Sequence, residues 1–195
     1  MLLLYDLAVS SYGCKTRILL RHKKLEWESI PPPNGYGSKA YCAIVPSGTV
    51  PALIHDDFIL SESDAIAEYL NDLQPEPAML PTDIKKRATA RAFSRFHDTR
   101  IEPLIRLYFP HVSRSKRSAS FVAENTDVLQ KRFYQFAKMA TPQPFLAGEN
   151  LCLADCGFVP SFAILRCLQP ILNFKIKLPR SMKKYEMDLI AHPSV

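Results

Sequence analysis

The chain has 195 residues, 47% hydrophobic and 23% charged, enough for one large domain or two small ones with a proper core. A net charge of +6 and a pI of about 9.1 suit anionic ligands. The basic residues are scattered without interleaved aromatics, however, so no nucleic-acid partner is expected. No run approaches the ~20 apolar residues needed to cross a bilayer, so no membrane partner is expected either. The N-terminus has no basic segment or small-residue cleavage site, which argues against a signal peptide.

Leu2 to Tyr5 is a short apolar run and reads as a buried first strand. Lys15 to Lys23 sets Ile18, Leu19 and Leu20 among basic residues, a helix whose C-terminal cations suit its dipole. Leu25 to Ile30 reads as a second strand, Pro31 to Gly35 as loop and Lys39 to Ile44 as a short helix. Pro51 to Ile54 and Phe58 to Leu60 are strands joined by a turn at His55-Asp56-Asp57. Ser63 to Leu73 keeps helical spacing through Ala65, Ile66, Tyr69 and Leu70.

Residues 74 to 82 hold three prolines and read as a linker. Beyond it the strand signal largely disappears. Asp83 to Phe109 is a long helical pattern that Pro103 should kink. Ser120 to Met139 is a second long helix. Leu153 to Leu168 is apolar almost all round and predicts a buried central helix, interrupted by Pro160. Ser181 to Ala191 is a weaker final helix. The cluster His111 to Ser118 reads as a solvated loop between helices. The pattern is thus a small β-α-β-α-β-β-α domain followed by an all-helical one.

Cysteines stand at positions 14, 42, 152, 156 and 167, an odd set with neither zinc-site nor Cys-x-x-Cys spacing. Free thiols in a reducing cytoplasm are the simplest account, and no metal is expected.

Two segments carry potential chemistry. Gly48-Thr49-Val50-Pro51-Ala52-Leu53-Ile54 brings a proline without an N–H to the start of an apolar strand, a place for a cis peptide and unpaired backbone. Leu60-Ser61-Glu62-Ser63-Asp64 then opens a helix whose free N–H groups favour anions. Together they could hold a small extended peptide ending in a carboxylate. An ordinary strand–turn–strand–helix unit without ligand fits the same residues. Ser10 and Ser11, between the first strand and first helix, could likewise act only as helix caps.

Val50-Pro51-Ala52-Leu53 and Ser61-Glu62-Ser63-x-Ala65-Ile66-x-x-Tyr69-Leu70 are followed by Phe145-Leu146-Ala147-Gly148-x-x-Leu151-x-Leu153-Ala154-Asp155. In this order, across long helices, they resemble the cytosolic glutathione transferases over essentially the whole chain. Ser10-Ser11-Tyr12-Gly13-Cys14-Lys15-Thr16-Arg17 looks most like the serine-type loop of zeta-like and related bacterial members.

The resemblance implies an α/β plus all-α fold: a thioredoxin-like domain at 1–76 and a helical bundle at 77–195. It implies glutathione as co-substrate. Ser10, or Ser11 in its stead, would donate a hydrogen bond to the thiolate, with Tyr12 as a further hydroxyl. Val50 would pair through its backbone with the cysteinyl part, just before a cis Pro51. Glu62 would take the ammonium and Ser63 the carboxylate of the γ-glutamyl end. Thr49 stands where many relatives carry a basic or amide residue, so Lys39 or His55 would serve the glycyl carboxylate. An acceptor pocket between the domains would be lined by Ala8, Tyr12, Phe96, Arg100, Tyr108, Phe109 and Phe162.

His97 and Asp98 would approach the partner of a homodimer. Cys152 replaces the usual Ser or Thr before x-Ala-Asp, which should impair half of a capping box with Asp155. The implied activity is attack of the activated thiol on a small hydrophobic electrophile, as in detoxification, or glutathione-dependent isomerisation or dehalogenation. The alternatives are a non-catalytic binding module of the same fold and a thiol–disulfide enzyme using Cys14.

Overall fold

The N-terminal apolar run forms β1 (Leu2–Tyr5) in the computed structural model, which describes residues 1–195. It pairs in parallel with β2 (Trp27–Ile30) and antiparallel with β3 (Ala52–His55). β3 in turn pairs antiparallel with β4 (Phe58–Ser61), so the sheet order is β2-β1-β3-β4. Three helices complete this part: α1 (Ser11–His22), α2 (Lys39–Cys42) and α3 (Ser63–Leu73). The expected β-α-β-α-β-β-α order is the observed one.

α1 starts at Ser11 rather than Lys15, because Ser10 caps it: the Gly13 N–H donates to Ser10 Oγ at 3.0 Å. α2 stops at Cys42, two residues short of the expected end. Apolar residues of β1, β3, α1 and α3 make the core, with Leu4, Ile18, Leu19, Leu53, Ile66 and Leu70 all buried. A second cluster gathers Tyr5, Tyr41, Val45 and Ala52, and the Tyr5 and Tyr41 rings meet edge-on at 5.2 Å.

Lys23 closes α1 in an unexpected way. Its buried ammonium donates to Asn71 Oδ1 (2.9 Å) and to the carbonyls of Gln74 (2.7 Å), Pro75 (3.2 Å) and Pro77 (2.8 Å). The start of the proline-rich segment is therefore tied to this unit. The chain divides into two compact units, Met1–Met79 with Ser194 and Leu80–Pro193 with Val195.

The second unit is helical. The long pattern from Asp83 breaks into α4 (Ile84–Phe96), a π-helical turn (His97–Ile101), α5 (Glu102–Arg106) and α6 (Phe109–Val112). Pro103 explains the break. It has no N–H and crowds the carbonyl four residues back, so the chain widens to a π turn and restarts with proline in the first turn of α5.

The π turn is held by His97, which is buried together with Ser161. Its ring nitrogens meet Asp98 Oδ1 at 2.7 Å and Ser161 Oγ at 2.8 Å. His97 and Asp98 thus take part in a network inside the helical unit, which corrects their expected placement toward a partner. Gly157 makes room for the imidazole, since a Cβ there would lie 2.7 Å from Nδ1.

α7 (Ala119–Met139) follows an exposed basic loop, and α8 (Leu153–Leu172) passes through both Pro160 and Pro170. It runs four residues beyond the expected end at Leu168 and stops at Asn173, whose left-handed φ of 52° terminates the helix. α9 is Arg180–Ile190. The centre of the unit is aromatic, with Phe158 contacting His97 at 4.6 Å, Phe136 at 4.7 Å and Tyr185 at 5.7 Å.

The start of α8 carries a capping box between Cys152 and Asp155, where an impaired one was expected. The Cys152 side chain faces the Asp155 N–H, which also donates to the Cys152 carbonyl at 3.0 Å. In the other half the Cys152 N–H donates to Asp155 Oδ2 at 2.8 Å. Asp155 Oδ1 also accepts the Leu146 N–H at 3.0 Å and the Tyr185 hydroxyl at 2.6 Å.

Candidate active site

Strand register decides which loops meet. Tyr5 at the end of β1 pairs with Ala52 at the start of β3, and Ala52 pairs with Ser61 at the end of β4. The three residues form one row across the sheet, spanning two strand spacings or about 10 Å. The segments just beyond that row are Asp6 to Ser10, Thr49 to Pro51 and Glu62-Ser63. The sheet therefore brings the serine loop, the proline turn and the start of α3 to one end of the first unit.

The proline turn has the expected cis Val50–Pro51 peptide, and the Val50 N–H and carbonyl make no hydrogen bond within the chain. Tyr41 fixes the preceding peptide by donating its hydroxyl to the Thr49 carbonyl at 2.8 Å. The Gly37 N–H donates to the Gly48 carbonyl, also at 2.8 Å. These bonds lay the 37–41 segment, including the exposed Lys39, against residues 48 and 49. His55 is at the opposite end of β3, and its Nδ1 meets the Tyr69 hydroxyl at 2.6 Å. Of the two residues considered for the glycyl end, only Lys39 lies beside Thr49.

Burial pushes the Tyr41 phenol up to about 12, with Tyr5 and Cys42 adding to the effect. The folded state holds this proton more tightly, so its contribution is full below the ordinary value of 10 and is lost as pH rises from there to about 12. The loss amounts to about 3 kcal/mol. Tyr41→Phe should flatten that part of the alkaline profile in denaturant titrations at stepped pH. A variant with an unchanged slope would reject this assignment.

α3 begins abruptly. Glu62 has φ 74° and ψ 113°, an uncommon backbone state for a residue with a Cβ, and it makes no side-chain cap bond. Such outliers cluster where geometry serves a ligand. The Glu62 carboxylate is exposed and the Ser63 side chain buried, with no chain partner for its hydroxyl. Asp64 is ion-paired with the buried Lys15 ammonium of α1.

In the serine loop, the Ser10 hydroxyl accepts the Gly13 N–H, which leaves its proton uncommitted within the chain. Ser11 is buried as the first residue of α1, and Tyr12 is half-buried. Burial raises the Cys14 thiol, with Arg17 opposing, and all five cysteines are free. A redox-active thiol needs the opposite shift, so the Cys14 alternative finds no support.

The residues expected to line the acceptor pocket differ in setting. Ala8 and Arg100 are exposed, Tyr12 is half-buried and Phe109 is 38% exposed. Phe96, Tyr108 and Phe162 are buried in the helical unit. Phe162 stacks on Phe133 at 6.0 Å, and Tyr108 stacks on Phe174 at 4.5 Å while meeting Thr126 Oγ1 at 2.9 Å. These three aromatics are core side chains. Helical spacing alone does not separate core from pocket.

Tyr41, Asp6 and Arg17 were not singled out from the sequence. A lone acid after an apolar strand, with an arginine in the helix that follows, was the available signal for the last two.

The family model for the glutathione S-transferase N-terminal domain matches residues 4–78. Glutathione S-transferase Z2 of Arabidopsis thaliana is 31% identical over 163 positions, covering 80% of this chain and 73% of that protein. Probable maleylacetoacetate isomerase 1 of Drosophila melanogaster is 25% identical over 203 positions, covering 99% and 74%. Among solved structures, glutathione transferase Omega 3C from Trametes versicolor superposes with a TM-score of 0.84 at 20% identity, covering 99% of this chain and 82% of that one. With a thioredoxin-like sheet, a helical second unit and these relatives, the chain belongs to the glutathione S-transferase family and is zeta-like within it.

Proposed function

We propose that this protein binds glutathione at the Tyr5–Ala52–Ser61 end of the sheet and activates its thiol for transfer or isomerisation chemistry. One observation carries the reading: a hydroxyl with a proton to give, an unpaired backbone edge at Val50 and the open start of α3 lie beyond a single row of register. An extended peptide pairs with the Val50 N–H and carbonyl as an added strand would. Its γ-glutamyl carboxylate takes the Ser63 hydroxyl and the α3 N-terminus, and its ammonium takes Glu62. Thr49 and Lys39 serve the glycyl end.

The sulfur then lies beside Ser10, whose O–H stabilises the thiolate without becoming a covalent nucleophile. Ala8 and Tyr12, on the same unit as Ser10, remain as acceptor contacts for a small hydrophobic electrophile. The two named relatives, one a transferase and one a probable isomerase, support both outcomes for the activated thiol. We assign it to the cytoplasm as a homodimer. The free cysteines fit that compartment, and no helix is long and apolar enough to cross a membrane.

Titration calorimetry tests the site. Glutathione and S-methylglutathione should both give saturable heats, because the grip is on the peptide rather than the sulfur. Glu62→Ala should weaken both by about tenfold or more, the loss of a charged hydrogen bond. Absence of binding at millimolar glutathione would overturn the proposal in favour of a non-catalytic module.

A further inference from the structure

Asp6 directly follows β1 and is buried, yet its Oδ1 has no hydrogen-bond partner. This oxygen packs against Gly13 so closely that an added Cβ would fall inside the carboxylate. The Gly13 N–H is the group that holds Ser10 Oγ. The other oxygen, Oδ2, is ion-paired with Arg17 of α1. Arg17 also reaches the Leu7 carbonyl at 3.5 Å and the Ala8 carbonyl at 3.3 Å. One guanidinium therefore grips three points of the loop leading into Ser10, and a carboxylate lies under the first turn of the helix that Ser10 caps.

We propose that Asp6 and Arg17 are a positioning pair for the thiol site, the arginine fixing the serine loop and the aspartate balancing its charge beside the sulfur. The proposal rests on the glutathione reading above and adds the source of the local field. A single glycine residue separates the carboxylate from the bond that orients Ser10, and in a partly buried setting charges at such distances act strongly. Burial raises the Asp6 carboxyl and the Arg17 ion pair opposes that shift. The other titratable or charged groups nearby are Cys14, which faces both members of the pair, Arg21 on α1, and the Lys15–Asp64 pair joining α1 to α3.

The two members of the pair should act with opposite signs. Asp6→Asn keeps the shape and leaves the guanidinium unbalanced, so the thiol of bound glutathione should ionise at lower pH, by about one unit. Arg17→Gln leaves the carboxylate unbalanced, so ionisation should move up by a similar amount. Arg17→Lys keeps the charge but loses the fork, so the midpoint should stay while kcat falls with little change in KM. The double variant, Asp6→Asn with Arg17→Gln, should return near the wild-type midpoint and serves if either single variant folds poorly.

Ultraviolet titration of the thiolate band of bound glutathione reads all four variants. Single-variant shifts of the same sign, unmoved midpoints, or a double variant displaced as far as either single would overturn the pair while leaving glutathione binding intact. A wild-type protein with no thiolate band and no calorimetric binding would instead overturn the functional reading, and the pair with it.

Discussion

Asp155→Ala is expected to destabilise the helical unit by about 3–5 kcal/mol, the penalty for breaking a buried charged network. The carboxylate is fully buried and receives three donors from three places: Tyr185 on α9, Leu146 in the loop before α8, and Cys152 at the start of α8 itself. Alanine would leave two backbone N–H groups and a phenol without acceptors in an apolar interior. Urea unfolding followed by far-ultraviolet circular dichroism measures the change. Tyr185→Phe removes only one donor and should cost about 1–2 kcal/mol. A loss below 1 kcal/mol for Asp155→Ala would show that the network contributes little.

Ser10→Ala should lower kcat by about 10²-fold, the usual effect of removing one donor to a developing anion. Two roles coincide at this hydroxyl: it accepts from Gly13 as a helix cap and has a proton left to donate. Alanine removes both, so it would also cost about 1 kcal/mol of stability. Glycine separates the roles, because it caps nearly as well as serine yet has no hydroxyl. Ser10→Gly should therefore fold almost normally and stay inactive. Ser10→Thr should recover a substantial part of the rate. Full activity in Ser10→Gly would transfer the role to Ser11 or Tyr12.

The order of elements was legible because each rests on local signals. The Leu2 to Tyr5 run, the Asp56 turn and the spacing of Ile66 and Leu70 all act within a few residues. The cis proline and the open start of α3 were also legible, since proline chemistry and capping residues are local. Contacts that join distant segments were not. Asp6 meets an arginine 11 positions on, and His97 bonds a serine 64 positions away. The two members of each pair do not share an element, so no helix or strand period marks those residues as partners. The break at Pro103 was anticipated as a kink. Its form as a π turn depends on the imidazole anchored at Ser161 and on the missing side chain at Gly157, which only packing specifies.

The oxygen nest around Lys23 bears on how the N-terminal half could be excised as a free-standing module. A stop placed at the first prolines after α3 would delete the Pro77 carbonyl, leaving an ammonium in a dry pocket with one acceptor fewer. A cut beyond Met79 keeps the nest whole, and the shorter fragment would be the one prone to fraying at the foot of α1.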